Sequence, residues 1–248
     1  MIALNIASIE PLVFHVRQSG QAGNLLDDGV FDFLLRLAWA GSIALSHLAP
    51  PCSSHSVLRL RKGGPPAVRT PSRMQGVWGL TGKRKKEFEE SKLLHERSVA
   101  VMHAVISTGG ISVYEQPPAS LAWLELKIQQ MFRALLLNMI QTPACRWGSD
   151  FAKRWAFASN CSGFKELGGT CPHAPGAHRS IRGTRDNGGF VSRQTAACPQ
   201  ALAEASAKIV QANLGKNRVP RAHADVPPQQ PYCWTPDLRA FPRPKRGR

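Results

Sequence analysis

Two short loops in the 248-residue chain place residues with reactive side chains directly after apolar segments. Cys52 lies in an Ala-Pro-Pro-Cys-Ser loop after the apolar segment 42–48, and Glu115 follows the segment 111–114 in the same way. Prolines stiffen a loop, and the end of a strand can expose a cysteine sulfur to a cleft, where its thiolate acts as a nucleophile. A helix N-terminus or neighbouring basic residues can lower the pKa of such a thiol. The alternative is a structural cysteine buried beside a tight turn.

A second group of residues has the chemistry of metal ligands. Cys171, His173 and His178 lie close together in a glycine-rich stretch, and Cys145, Cys161 or Cys198 could supply a fourth ligand. Zinc binds mixed Cys and His ligands in a tetrahedral arrangement. The spacing Cys-x-His-x4-His is not an established zinc-finger spacing. The sequence therefore favours a loop whose Cys and His side chains make local hydrogen bonds over a zinc site.

The third feature is clustered positive charge. The chain has 32 Lys and Arg against 16 Asp and Glu, a net charge of +16. The Gly- and Pro-rich segment 59–86, predicted to be a loop, holds nine basic residues and no acidic one. Such an excess favours a polyanion partner, because each neutralised phosphate releases counterions. Lys83, Arg84, Lys85 and Lys86 form the cluster most suited to DNA contact, and a second basic run lies at 242–248. These runs are also typical of nuclear targeting signals, and the alternative for both is a solvated surface.

An alternation of helices and short strands must position these residues. The same order of elements occurs two times in the sequence: a helix, a glycine that ends it, a short apolar strand and a proline-containing loop. This pattern predicts an α/β fold with a doubly wound, mostly parallel sheet, whose strands present Cys52 and Glu115 at their carboxyl ends. The predicted helices cover 28–40, 87–107, 121–140 and part of 195–214, and the predicted strands cover 42–48, 111–114 and 153–159.

Composition also sets the domain organisation. Residues 1–214 are predicted to form one domain, and 215–248 a disordered Pro/Arg-rich basic tail, because its prolines and charges cannot build a core. The apolar stretch 30–49 contains charged residues and a glycine, so it is not a membrane span. Six dispersed cysteines without a signal peptide favour a reducing, intracellular compartment. The sequence does not define an oligomeric state.

Taken together, these segments resemble the cytosine carbon-5 DNA methyltransferases, in particular a divergent group of them. The resemblance covers roughly residues 25–212 and rests on 25–29 (LLDDG), the Pro-Cys loop, 63–71 (GGPPAVRTP), 115–124 (EQPPASLAWL), 171–178 (CPHAPGAH) and 193–199. It implies a Rossmann-like domain that uses S-adenosylmethionine, with Cys52 adding to carbon 6 of a flipped cytosine in DNA. It also implies that Glu115 contacts ring nitrogen 3, so that carbon 5 can accept the methyl group, and it favours a nuclear location.

The sequence departs from this family at several positions. The glycine-rich loop that holds the cofactor has no clear counterpart, which predicts a domain that is incomplete at its N-terminus. The family's Asn and Val are Gln116 and Pro117 here, and only Arg182 and Arg185 lie near the place of its Gln-Arg-Arg cluster. Two hypotheses follow: a DNA cytosine-5 methyltransferase, or a catalytically inactive, basic nucleic-acid-binding relic of such a domain.

Overall fold

The computed structural model describes residues 20–181, 183 and 198–214, which form an α/β fold around one four-stranded mixed sheet. The strands are β1 (Leu45–Leu48), β2 (Ile111–Gln116), β3 (Asn138–Pro143) and β4 (Arg154–Ser159). Their order across the sheet is β1-β2-β4-β3. β1 and β2 are parallel, whereas β4 is antiparallel to both of its neighbours.

Four α-helices lie in the described residues: α1 (Asp28–Trp39), α2 (Gly82–Ser107), α3 (Leu126–Ala134) and α4 (Gln200–Asn213). Asp27 caps α1, because its side chain accepts a hydrogen bond from the amide of Val30. Gly41 follows α1 with a φ of 68°, a left-handed conformation that suits glycine. The predicted helix stop at this glycine is therefore confirmed.

The predicted repeat of helix and strand is confirmed where it matters most for the site. β1, α2 and β2 form a βαβ unit, in which the crossover helix joins two adjacent parallel strands. The helix runs back from the carboxyl end of β1 to the start of β2. The N-terminus of α2 therefore lies at the edge of the sheet where both strands end.

Three predictions about the fold are wrong. The sheet is not mostly parallel, since one of its three strand pairs is parallel and two are antiparallel. The helix predicted over 121–140 ends at Ala134, and its last predicted residues begin β3, where buried Ile140 and Thr142 alternate with exposed Met139 and Gln141. α2 begins at Gly82, five residues before the predicted start, so its first turns include a segment expected to be a loop.

Apolar side chains pack against both faces of the sheet. On one face, Tyr114 and Ala158 pack with residues of α2 and α3. On the other, Val113 and Phe157 pack with residues of α4. Because neighbouring side chains along a strand point to opposite faces, Glu115 lies on the same face as Val113. Helices thus cover both faces of the described sheet, as the alternating pattern predicts.

Two further predictions concern the tail 215–248 and membrane spans. The disordered tail predicted over 215–248 lies outside the described residues. Within the described part of the chain, every helix is too short or too polar to span a lipid bilayer.

Candidate functional site

Cys52 and Glu115 come from the same edge of the sheet. In the parallel register Leu48, the last residue of β1, lies opposite Tyr114 of β2. Glu115 is therefore one residue beyond this last pair on β2, and Cys52 is four residues beyond it after β1. Cys52 is exposed, and Glu115 is half-buried. The expectation that both residues lie at the carboxyl ends of adjacent parallel strands is confirmed.

Hydrogen bonds from buried side chains hold the loop that carries Cys52. The Gln116 side chain donates from Nε2 to the carbonyl oxygen of Pro50 at 2.6 Å, and it accepts from Ser120 Oγ at 3.0 Å. His95, on α2, contacts the carbonyl oxygen of Pro51 through Nε2 at 3.3 Å. Because Gln116 is 1% exposed, its amide is fixed in place. The two motifs are therefore tied together directly.

The buried histidine of this support is neutral. Burial, together with the nearby His55, lowers the pKa of His95 to about 3. Burial also raises the pKa of Tyr114, so the phenol keeps its proton and donates to His95 Nδ1 at 2.5 Å. The remaining ring proton then lies on Nε2 and points to the Pro51 carbonyl. This chain of donors fixes one tautomer and one loop position.

Charged groups around Cys52 act on its thiol in opposite directions. Desolvation raises the pKa of Cys52, the Glu115 carboxylate raises it further, and Lys153 lowers it. Glu115 and Lys153 also act on the Cys198 thiol, whose pKa burial raises to about 12. His47 Nε2 lies 3.6 Å from Glu115 Oε2. In the free protein, Cys52 is therefore a protonated thiol beside a carboxylate and an ammonium group.

A buried ionic network lies beside the Cys52 loop. The fully buried guanidinium of Arg69 donates from Nη1 to Glu125 Oε1 at 2.5 Å and also contacts His55 Nε2. His55 is fully buried, and desolvation lowers its pKa. Ser54 Oγ contacts His55 Nδ1 at 3.2 Å and Ser91 Oγ of α2 at 2.5 Å. Ser54 and His55, two and three residues after Cys52, are thus anchored to this network, and Ser54 also to α2.

The basic cluster Lys83 to Lys86 lies in the first two turns of α2, at the same edge of the sheet as Cys52. Its placement in a loop was wrong, because Gly82 already begins the helix. Lys85 and Lys86 make exposed i,i+4 pairs with Glu89 and Glu90 at 3.8 and 3.7 Å. Arg84 donates to the carbonyl oxygen of Ala67 at 2.6 Å. Surface pairs of this kind are weak, so the lysines are accessible to phosphate.

Arg59 connects this helix terminus to the Cys52 loop. It donates from Nε to the carbonyl oxygen of Ser53 at 2.9 Å, and its Nη2 pairs with Glu87 on α2. The N-terminus of a helix also carries partial positive charge. The reactive thiol and the basic cluster consequently belong to one connected surface. Arg182 and Arg185, the other predicted DNA contacts, lie outside the described residues.

The three predicted metal-ligand candidates, Cys171, His173 and His178, come together in space. Cys145 joins them, and one ligand atom from each of the four residues lies within 4.8 Å of the others. Of the other possible fourth ligands, Cys161 is buried in the core and Cys198 belongs to the surroundings of Glu115. Desolvation and the contact with Cys171 raise the pKa of the Cys145 thiol. These four residues are hereafter the Cys/His cluster.

Sequence reasoning missed several residues around Cys52. His47 and Glu115 share a face of two adjacent strands, a relationship that the parallel register would have indicated. Lys153 and the Arg69–Glu125 pair carry no such signal, because their partners are distant in the sequence. Charged residues with remote partners become visible only in the folded chain.

The chain was compared with protein families, with curated proteins and with solved structures, and none of them matched it. Its functional assignment rests on its own residues and their geometry.

Proposed function

We propose that this protein transfers a methyl group from S-adenosylmethionine to carbon 5 of cytosine in DNA, with Cys52 as the nucleophile and Glu115 as the acid that contacts the base. One observation carries the proposal: the two residues lie at the carboxyl ends of adjacent parallel strands, where the Glu115 charge raises the pKa of the Cys52 thiol. We expect both side chains to face one base at this end of the strands. A finer assignment, a doubly wound methyltransferase-like fold in a nuclear protein, belongs to the same proposal.

The chemistry of these side chains can be followed proton by proton. Cys52 gives its proton to the Glu115 carboxylate, and the resulting thiolate forms a bond to carbon 6 of a cytosine that has left the duplex. The electron pair of the 5,6 double bond moves through carbon 4 towards ring nitrogen 3. Glu115, as a carboxylic acid, donates its proton to ring nitrogen 3 and becomes a carboxylate. Carbon 5 is then an enamine carbon that can take an electrophile. Water then accepts the carbon 5 proton, the thiolate leaves carbon 6, and the Glu115 carboxylate takes back the nitrogen 3 proton, which restores the neutral aromatic ring.

The electrostatics couple binding of the base to activation of the thiol. An ionised Glu115 raises the pKa of Cys52. When Glu115 holds the proton that it shares with nitrogen 3, its negative charge is absent and the thiolate forms more easily. Lys153 lowers the pKa of Cys52 throughout. The thiol is therefore least reactive without substrate and most reactive with a base against Glu115.

S-Adenosylmethionine would supply the methyl group that carbon 5 accepts. The residues that directly follow β1 and β2, 49–52 and 117–120, contain two prolines each and no glycine, so neither strand runs straight into the glycine-rich turn that lets a backbone approach such a cofactor. Side chains buried beside them, Gln116 and His95, bond the Cys52 loop itself. The described residues thus fit the base-contacting half of a methyltransferase site and do not fit the cofactor.

The test separates addition to the base from methyl transfer. Duplex DNA with tritium on carbon 5 of cytosine releases the label whenever a thiol adds at carbon 6 and the adduct reverts through protonation at carbon 5. We expect release by the parent chain, loss of release in Cys52→Ser, and a lower rate in Glu115→Gln. Cys198→Ser is the matched control, because its thiol lies near Glu115 but has no place in the reaction. Labelled methyl transfer from S-adenosylmethionine is measured in parallel.

The second candidate function is DNA binding without catalysis. It is favoured by the raised pKa of Cys52 and by the loops that do not fit the cofactor. It predicts salt-dependent DNA affinity with neither tritium release nor methyl transfer, and equal affinity in the parent and Cys52→Ser. Tritium release that persists in Cys52→Ser would contradict the proposed nucleophile.

A further inference from the structure

The Cys/His cluster lies in a different part of the molecule from the Cys52 site. Cys145 follows β3, and Cys171, His173 and His178 belong to the irregular segment after the 3-10 turn Ser162–Leu167. We propose that the Cys/His cluster binds one zinc ion through all four side chains and that this ion holds the segment against the edge of the sheet. The assignment does not depend on the proposed methyl transfer.

Three of the six distances between ligand atoms in the cluster are close to those of a tetrahedral zinc site. Cys145 Sγ lies 3.6 Å from Cys171 Sγ, and Cys171 Sγ lies 3.6 Å from His173 Nδ1 and 3.1 Å from His178 Nε2. Zinc bonds of about 2.3 Å to sulfur and about 2.0 Å to nitrogen, at tetrahedral angles, separate two sulfurs by about 3.8 Å and a sulfur from a nitrogen by about 3.5 Å. The other three pairs of ligand atoms lie within 4.8 Å of each other, so side-chain movements of about 1 Å would bring all four ligands to tetrahedral positions.

Hydrogen bonds alone do not account for this arrangement. Three polar atoms surround the sulfur of Cys171, yet a thiol has a single proton and is a weak donor and acceptor. The nitrogens of His173 and His178 both face that sulfur, so one of them is left without a strong partner. A cation that accepts an electron pair from each atom satisfies all four at once.

The backbone brings the four ligands together through contacts that do not involve them. The amide of Gly169 donates to the carbonyl oxygen of Gln141 in β3 at 3.0 Å, and Arg146 donates to the carbonyl oxygen of Glu166 at 3.2 Å. At the far end, the amide of Ala152 donates to the carbonyl oxygen of Arg179 at 2.9 Å. The segment is therefore fixed at both ends, and three of the four ligands, Cys171, His173 and His178, lie between the fixed points, while Cys145 lies in the turn after β3.

The choice of metal and its role follow from the ligands. Two thiolates and two imidazoles are borderline-soft donors, which suit zinc far better than magnesium or calcium. Four protein ligands leave no open position for water or substrate, as in structural zinc sites. From Pro172 to Ala177 every residue is exposed, so apolar burial does little to hold this segment. The ion supplies the cohesion that a core would otherwise give.

The experiment measures metal in the full chain, purified under reducing conditions with zinc in the medium. We expect about one zinc per chain by elemental analysis, bound by two sulfur and two nitrogen atoms in X-ray absorption spectra. Cys145→Ser, Cys171→Ser and His178→Ala should each lower the zinc content about tenfold or more, because the loss of any one ligand leaves an incomplete tetrahedron. Cys198→Ser, a half-buried cysteine outside the cluster, is the matched control and should keep its zinc.

Two results would overturn the assignment. One is a folded parent chain that takes up neither zinc nor cobalt under reducing conditions. The other is zinc content that is unchanged in Cys171→Ser. If the ligand variants fail to fold, cobalt replacement in the parent decides the question, because tetrahedral cobalt with thiolate ligands absorbs strongly in the visible range. A parent chain that lacks tritium release but holds zinc would refute the methyl-transfer proposal and leave the metal site intact.

Discussion

Removal of the Glu125 carboxylate tests whether the buried network beside the Cys52 loop is electrostatically essential. Arg69 has no exposed side-chain surface, and Glu125 is 15% exposed. In Glu125→Ala the guanidinium stays buried without its ion-pair partner, and among the residues that the structure describes its Nε and Nη2 have no hydrogen-bond partner. Breaking such a pair costs about 3–5 kcal/mol, against a total domain stability of about 5–15 kcal/mol. For a domain of this size, the melting temperature should fall by roughly 6–20 °C.

The matched substitution is Arg69→Met, which removes the buried charge together with its two unpaired donors. Methionine is unbranched and fills similar space beside Phe88, over whose ring the guanidinium lies at 4.7 Å. We expect a cost of about 1–2 kcal/mol or less, and the double variant should be more stable than Glu125→Ala by about 2 kcal/mol. Urea unfolding of all four proteins provides the measurement. If Arg69→Met costs as much as Glu125→Ala, or if the two costs simply add, the reasoning is refuted.

Three further predictions follow from the electrostatics. Glu115→Gln should lower the pH at which Cys52 becomes alkylated, because the Glu115 charge opposes the thiolate, and Lys153→Met should raise it, because the Lys153 charge favours the thiolate. Peptide mass spectrometry of the alkylated chain over a pH series checks this, and shifts of the same sign in both variants would contradict it. Neutralising Lys83, Lys85 and Lys86 should reduce the slope of log DNA affinity against log salt by about 3. Lys127→Gln, at a different part of the surface, is the single-charge control. An unchanged slope in the triple variant would show that the cluster is a solvated surface without DNA contacts. In the folded chain His95 is neutral with a pKa of about 3, against 6.5 in the unfolded chain. Its contribution to the free energy of unfolding is therefore complete above pH 6.5, and the free energy should fall by up to about 1.4 kcal/mol per pH unit as the pH drops towards 3. His95→Gln should flatten that dependence in urea unfolding, and a parent chain equally stable at pH 7 and pH 5 would exclude the buried neutral histidine.

Local sequence signals identified the part of the fold that positions Cys52 and Glu115. The Asp27 cap, the stop at Gly41 and the apolar strands before each loop are short-range features, and the structure confirms them. Strand direction is different, because β4 pairs with β2 and β3 through contacts that no local pattern specifies. The error over 121–140 was avoidable, since Ile140 and Thr142 are buried with the two-residue period of a strand.

The metal ligands show the same limit from the other side. Cys171, His173 and His178 are close in sequence, so their composition was visible, and Cys145 was one of three possible fourth ligands. The choice among those three depends on the hydrogen bond from Gly169 to β3, which brings the segment back to the turn that carries Cys145. A spacing rule cannot express this contact, because 25 residues and a complete strand separate the two cysteines.

Gln116 shows why a departure from a family pattern can leave the local geometry intact. The family that the sequence resembles has Asn at the position of Gln116, directly after the residue that corresponds to Glu115. Here the longer amide reaches the carbonyl oxygen of Pro50, two residues before Cys52, and it is itself held by Ser120. Loss of that donor would leave a buried carbonyl unpaired at a cost of about 1–3 kcal/mol, concentrated in the loop that must present the thiol. Gln116 thus ties the Cys52 loop to the strand that carries Glu115. The two proposed functions, methyl transfer and DNA binding without catalysis, differ in what they require of the Cys52 thiol and of a cofactor site.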